Sequence, residues 1–295
     1  MTWGFKLASV YVGVATVGRS DLTCQTIELL SRQTRKPDGV LVVGVTADDV
    51  RGVSQTSVEP EIAFAERGLC RQRNRALELL LGKADIITFF DDDFVPAPEY
   101  LSEVEKLFES DPGVAGVTGN LLADGINNQG YTVDEALAII ATRDEIIDAR
   151  VVKRQALYGC NMSIRVSAAE GLTFDEALPL YGWQEDIDFT YQVGLRGRLV
   201  SSTKVTGVHL GTKGGRTSGK KLGYSQVANI VYLKRKGTMQ PGLGEKLLTA
   251  NLLSNIVYSF WSEPHIDRRG RLWGNILALA DLLRGNIDPR KIERM

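Results

Sequence analysis

The chain has 295 residues, 43% hydrophobic and 24% charged, and its 35 Lys and Arg against 36 Asp and Glu give a formal net charge of −1. That balance excludes disordered, collagen-like and channel compositions, leaves a globular protein able to bury a sizeable core, and offers a nucleic-acid partner little bulk attraction. Its three cysteines, Cys24, Cys70 and Cys160, lie far apart without a CxxC pair, which speaks against a disulfide framework or zinc knuckle and fits a reducing compartment, the cytoplasm by default.

The apolar run Leu7 to Val17 is followed by Gly18, Arg19, Ser20 and Asp21 rather than a small-residue cleavage site, so a buried strand is expected there and not a leader. Within it Ala8 to Val14 is β-rich, and Leu22, Ile27, Leu29 and Leu30 then recur at helical spacing up to Gln33. Gly39 to Val45 reads as a second strand, Leu69 to Leu81 as a helix, and Asp85 to Phe90 as a third strand ending at Asp91, Asp92 and Asp93. Alternating elements with continuously apolar strands imply a mostly parallel sheet covered on both faces, with loops Thr16 to Ser20, Thr46 to Asp49 and Asp91 to Asp93 converging on one crevice.

After Gly119 the alternation weakens. Val133 to Ile147 is expected as a helix, Tyr158 to Arg165 as a strand and Glu185 to Leu195 as a helix, which makes the second half mixed. From Phe189 to Gly244 there is no acid, while Arg196, Arg198, Lys204, Lys213, Arg216, Lys220, Lys221, Lys234, Arg235 and Lys236 supply ten cations: a solvated basic face or an anion site. The uncharged run Leu247 to Ser262 is too polar and too short to span a membrane. The tail carries an apolar helical stripe at Leu272, Trp273, Ile276, Leu277, Ala280 and Leu283, flanked by Arg268, Arg269, Arg271 and Arg284.

Like charges packed at a strand end need a compensating cation, and carboxylates suit a hard ion such as Mg²⁺ or Mn²⁺ that shares its remaining positions with phosphates. Because strand residues alternate, Asp91 and Asp93 can face one cleft while Asp92 points elsewhere. An acidic turn before Pro96 is the plainer reading of the same residues. In "YGWQEDIDF", Glu185, Asp186 and Asp188 open a helix, where the dipole favours acids and where a carboxylate could also act as a general base. His209 follows a β-rich stretch and precedes the loop "GTKGGRTSGKK"; an isolated histidine is often structural, as His265 is expected to be.

The aspartate triplet, the "RQRN" start of the Leu69 helix and the Trp-x-Glu-Asp segment together make the chain, over about Ala8 to Leu210, resemble the family 2 glycosyltransferases. The resemblance implies an α/β GT-A fold: a Rossmann-like, mostly parallel central sheet flanked by helices, a mixed second half and a helical C-terminal extension. It implies residues 1–240 as the transferase domain, with a nucleotide-sugar half of about 1–120 and an acceptor half of about 121–240, followed by the extension 241–295. By the same resemblance, Asp91 and Asp93 would form the DxD pair on ribose and metal-diphosphate, with Asp93 the better ligand and His209 completing a Mn²⁺ or Mg²⁺ site. Asp186 would be the catalytic base of an inverting transfer, with a pKa that is not pushed far up. Thr16, Arg73, Asp92, Glu185, Lys213 and Arg216 would touch the nucleotide sugar, the last two from a basic loop able to close over the diphosphate.

One departure stands out: where the family commonly carries "DDGS" after the second strand, this chain has "VVGVTADD", so Asp48 or Asp49 would have to supply the nucleobase or ribose contact. The donor expected is a nucleotide sugar, UDP-linked in preference to dTDP- or GDP-linked. The acceptor expected is a glycan or lipid-linked glycan, with peripheral contact at the inner membrane face and a packed or dimeric tail as the competing uses of the C-terminal helices. Two rivals are a haloacid dehalogenase-like phosphatase with Asp91 as nucleophile, whose motif belongs on the first core strand, and a non-catalytic nucleotide-sugar-binding module.

Overall fold

The computed structural model describes residues 8–144, 150–213, 218–261 and 263–295. In chain order the elements are β1 (Val10–Ala15), α1 (Ser20–Leu30), β2 (Gly39–Gly44), β3 (Glu61–Phe64), α2 (Leu69–Leu80), β4 (Ile86–Asp91), β5 (Phe94–Pro96), α3 (Tyr100–Ser110) and β6 (Val114–Asp124). There follow α4 (Val133–Ala141), β7 (Val151–Lys153), β8 (Asn161–Arg165), α5 (Val166–Ala169), α6 (Glu185–Gly194), β9 (Arg198–His209), α7 (Gly219–Lys236), α8 (Leu243–Tyr258) and α9 (Arg268–Leu283). They build one sheet in the order β3-β2-β1-β4-β8-β6-β9-β5, with β7 beside β9. The first four strands are mutually parallel, whereas β8 runs antiparallel between β4 and β6, so the expected change from parallel to mixed falls at the centre of the sheet.

Strand alternation divides the core into two layers. Val10, Val12 and Val14 with Val40, Val42, Ile86 and Phe90 pack under α1 and α3, while Leu41, Val43, Ile87 and Phe89 pack under α2 and α6. A strand covered on both faces has no solvated side to mark with polar residues, which is why β4 reads as an unbroken apolar run. Edge strands carry no such mark. In β3 only Ala63 is buried, and Ile62 and Phe64 face outward.

Two expected elements are shorter than their sequence pattern. The strand expected from Tyr158 begins at Asn161, because the Asn161 N–H turns back to the Tyr158 carbonyl at 3.1 Å and holds Tyr158 to Cys160 as a turn. The helix expected to reach Ile147 ends at Ala141, where the Thr142 hydroxyl binds the Ala138 carbonyl; residues 145–149 lie outside the described ones.

The tail packs on a face other than its apolar stripe. Helices α7 and α9 cross closely through Gly223 and Gly274: a Cβ at the first would sit 2.0 Å from the Arg271 carbonyl oxygen, and one at the second 2.1 Å from that of Lys220. The contact buries Gly274, Asn275, Ala278 and Asp281 and leaves Trp273, Ile276 and Leu283 outside. Small residues permit the approach, so the large apolar ones are turned away. Among the described residues no helix is long and apolar enough to cross a membrane.

The crevice rim is pinned by Asp49. Its carboxylate accepts the Gly18 N–H at 2.6 Å from the β1–α1 loop, and the Thr46 N–H at 2.7 Å, the Val45 N–H at 3.1 Å and the Thr46 hydroxyl at 3.0 Å from its own. Burial pushes this carboxyl up, but the Gly18 and Thr46 N–H groups outweigh it and hold it below the ordinary value. Asp49→Ala should therefore cost about 2 kcal/mol of stability. Because the folded pKa is depressed, the difference from wild type should be full above the ordinary aspartate pKa near 4 and shrink as pH falls below it, as urea titration at several pH values can check.

Candidate active site

The carboxyl ends of β1, β2 and β4 meet at one rim of the sheet, where ligands of such folds are held. Asp91 ends β4 opposite Ala15, and the chain turns through Asp92 and Asp93 into β5. Asp92 is driven inward: it accepts the Thr16 hydroxyl at 2.7 Å and pairs with Arg19 Nη2 at 2.7 Å. Burial pushes its carboxyl up to about 7 against the pull of Arg19.

Asp93 points the other way. It accepts the Thr212 N–H at 2.8 Å and lies 3.4 Å from both Arg19 Nη1 and His209 Nε2. The far nitrogen of that ring, Nδ1, is 2.9 Å from Asp124 Oδ1, which sets the ring's orientation. Burial pushes Asp93 up, but hydrogen bonding and charge from His209, with Arg19 and the Thr212 N–H, hold it well below the usual carboxylate range. For His209, burial opposes the charged ring, and the hydrogen bonds of Asp124 and Asp93 win, holding it up at about 10.

One ligand atom from each of Asp91, Asp93 and His209 lies within 4.8 Å of the others. Two carboxylates and an imidazole braced by a third carboxylate suit a divalent ion that keeps positions free for phosphate oxygens. Coordination through Nε2 would displace the proton that the ring carries between its two aspartates.

A second cluster adjoins the first through Arg73, whose side chain is 3% exposed. Its guanidinium reaches Asp91 Oδ1 at 2.9 Å, the Gly159 carbonyl at 2.7 Å and Glu185, and lies over the rings of Phe89 and Phe174. The start of α6 thus hangs on the end of β4. Burial and the neighbouring Asp186 charge push Glu185 well above its ordinary value despite Arg73. Burial also raises Asp186, opposed by the Gly159 N–H at 3.0 Å, by Arg73 and by the Ile187 N–H at 2.8 Å. The net shift in Asp186 runs upward.

Three cavities meet at Asp91 and Tyr181. One of about 380 Å³ is lined by Thr16, Arg19, Gln72 and Asp92. A second, of about 320 Å³, is lined by Asp93, His209, Thr212 and Lys213, and a third, of about 170 Å³, by Arg73, Trp183, Gln184 and Asp186.

Residues 61–172 match the family model described as Glycosyl transferase family 2. Over that stretch the chain is similar to the family 2 glycosyltransferases. No curated protein matches the sequence with significance. The fold is shared with a mannosyltransferase, PcManGT, from Pyrobaculum calidifontis, solved with GDP-Man and Mn²⁺ (16% identity, TM-score 0.57, 98% of this chain and 86% of that one). It is shared also with S. aureus TarS 1-349 solved with UDP-GlcNAc (14%, 0.57, 97% and 83%) and with the glucosyl-3-phosphoglycerate synthase of Mycobacterium tuberculosis solved with Mg²⁺ and UDP (15%, 0.53, 80% and 82%). At these identities the likeness carries the GT-A fold alone.

The described residues expected at the site border these cavities and differ in what their side chains meet. Asp91, Asp93, His209, Glu185, Asp186 and Lys213 line the cavities, with the Lys213 ammonium held by the Gly125 and Ile126 carbonyls at 2.9 and 3.1 Å. Arg216 lies outside the described residues. Thr16 and Arg73, expected to touch the nucleotide, spend their side chains on the protein: Thr16 on Asp92 and on Thr23 at 2.8 Å, Arg73 on Asp91, Gly159 and Glu185. Asp49 is likewise spent on its loop, and Asp48 is exposed. Arg19 and Asp124 went unread in the sequence; their only signal is position, Arg19 in a loop that enters the crevice and Asp124 at a strand end.

Removing one partner of a buried ion pair strands the other. Arg73→Met should cost about 3–5 kcal/mol, and Arg73→Met with Glu185→Leu should recover part of that loss. A double-mutant cycle by chemical denaturation should give a coupling of about 1 kcal/mol or more.

Proposed function

We propose that this enzyme transfers a sugar, with inversion, from a nucleoside diphosphate donor to a hydroxyl of a glycan or lipid-linked glycan, in polysaccharide or glycoconjugate assembly. The observation that carries the reading is the convergence of two clusters on Asp91: the Asp91, Asp93 and His209 set on one side and Asp186 on the other, joined by Arg73. Residues 1–240 would form the transferase domain and 241–295 a helical extension of it.

The 380 Å³ cavity suits the nucleoside and the 320 Å³ cavity its diphosphate. Asp91, Asp93 and His209 would hold Mn²⁺ or Mg²⁺, which when bound neutralises charge on the diphosphate. The acceptor oxygen attacks the anomeric carbon, the bond from that carbon to the phosphate oxygen breaks, and the diphosphate leaves with the bonding pair. Asp186 Oδ takes the acceptor proton. A carboxylate raised by burial is the stronger base as long as it stays ionised at the working pH. A UDP-sugar is our preferred donor, with dTDP- and GDP-sugars as the alternatives.

The acceptor reading rests on the α8–α9 turn. Its residues His265, Ile266 and Asp267 line the diphosphate cavity, while the same turn exposes Phe260 (77%) and Trp261 (64%) beside Trp273, Ile276 and the cation of Arg269. Aromatic and aliphatic side chains ringed by arginine suit an anionic bilayer face, so an acceptor anchored there would meet the cleft.

Nucleotide-sugar panels assayed for release of nucleoside diphosphate should show turnover, where a phosphatase would release inorganic phosphate and a binding module nothing. Asp186→Asn should lower kcat by about 10²–10⁴-fold while nucleotide binding persists. Because burial raises Asp186, the wild-type rate should fall as pH drops through a value above the ordinary aspartate pKa near 4. Liposome flotation should carry the enzyme with anionic but not zwitterionic vesicles, and Phe260→Ser with Trp261→Ser should leave it at the bottom.

A further inference from the structure

Between Trp183 and the first turn of α6 sits a residue that the mechanism does not use. Gln184 is 7% exposed, yet neither its Oε1 nor its Nε2 has a hydrogen-bond partner among the described residues. Its backbone is left-handed, φ 72 and ψ 19, a region that a residue with a Cβ rarely occupies. Neighbouring contacts fix that conformation: the Glu185 N–H binds the Gly182 carbonyl at 2.7 Å, the Asp188 N–H binds the Gln184 carbonyl at 3.3 Å, and Asn229 of α7 holds the Trp183 carbonyl at 2.6 Å. Strain kept in place by its surroundings, at the mouth of a cavity, is a mark of function.

The cavity it lines is the one of about 170 Å³ shared with Asp91, Asp186, Tyr181 and Trp183, whose indole Nε1 is also buried with no partner among the described residues. A cavity of about 150 Å³ holds one six-membered ring. This one has the volume for one such ring, and its largely apolar wall is punctuated by carboxylates and by an amide and an indole N–H that no described residue pairs. A buried amide is costly until it is paired.

We propose that Gln184 is a specificity residue that reads the transferred sugar, its Oε1 accepting from one ring hydroxyl and its Nε2 donating to the adjacent oxygen. The inference rests on the transferase reading above and names the part of the donor that this cavity takes. Vicinal hydroxyls match the amide's side-by-side acceptor and donor. An epimer that turns one hydroxyl away would leave an amide atom buried and unpaired, so discrimination follows from the same burial that makes the free side chain costly.

The test is calorimetry with Mn²⁺ on UDP and GDP and on UDP-glucose, UDP-galactose, UDP-GlcNAc and GDP-mannose, for wild type, Gln184→Ala and Gln184→Gly. Wild type should bind one member of an epimeric or substituted pair at least 10-fold more tightly than the other. Both variants should bring that ratio to within about 2-fold while binding the bare nucleoside diphosphate as wild type does. The Tm of Gln184→Gly should equal or exceed that of wild type, because glycine relieves the left-handed backbone. Retained discrimination in the variants would overturn the proposal, as would its absence in wild type or a marked fall in Tm of Gln184→Gly, which would make the amide a structural group. Failure of wild type to bind either bare nucleotide would instead strike the transferase reading itself.

Discussion

One buried guanidinium ties the aspartate end of the parallel strands to the start of α6. Arg73 starts from α2, behind the parallel half of the sheet, and clamps the last residue of β4 to the first residue of α6. Without that bridge, Asp91 and Glu185 would be carboxylates facing each other across a low-dielectric gap, and Asp186 beside Glu185 would keep only its backbone N–H contacts to fix it. The turn at Tyr158 to Cys160 completes the joint. The Gly159 carbonyl accepts from Arg73 and the Gly159 N–H donates to Asp186, so one residue registers both clusters.

Charge explains the rest of the arrangement. The aspartate triplet is not three copies of one group but a division of labour set by strand alternation and by what each side chain meets. Asp92 turns into the protein and is held by Thr16 and Arg19, Asp91 is shared between Arg73 and the cleft, and Asp93 is held ionised by His209 and Arg19. Asp124 and Asp186 add further negative charge around the same space, more than Arg19, Arg73 and the histidine can offset. A divalent ion carrying a diphosphate is the natural complement, since it brings positive charge to the carboxylates and takes phosphate oxygens on its open side.

The parallel half of the fold was legible because β1, β2 and β4 are buried on both faces and announce themselves as apolar runs. The edge strand β3 and the short β5 and β7 make no such pattern, for their place is decided by neighbours distant in sequence. The site followed the same rule. Asp91, Asp93, Asp186 and His209 sit at the ends of elements and could be named, whereas the partners of Arg73 and Thr16 could not, because a side chain's hydrogen bonds depend on which strand ends the fold brings beside it. The tail shows the limit of periodicity most plainly: its apolar stripe was visible, but the closeness of Gly223 and Gly274 decided that α9 packs by its small residues.

In the proposed reaction Asp91 and Asp93 hold a divalent ion that in turn holds a nucleoside diphosphate. Calorimetric titration of UDP, GDP, TDP and CDP, each with Mn²⁺ and with EDTA, on wild type and Asp93→Ala tests it most directly. Binding of one nucleotide should require Mn²⁺ and disappear in the variant. Equal binding in EDTA, or undiminished binding by Asp93→Ala, would contradict it.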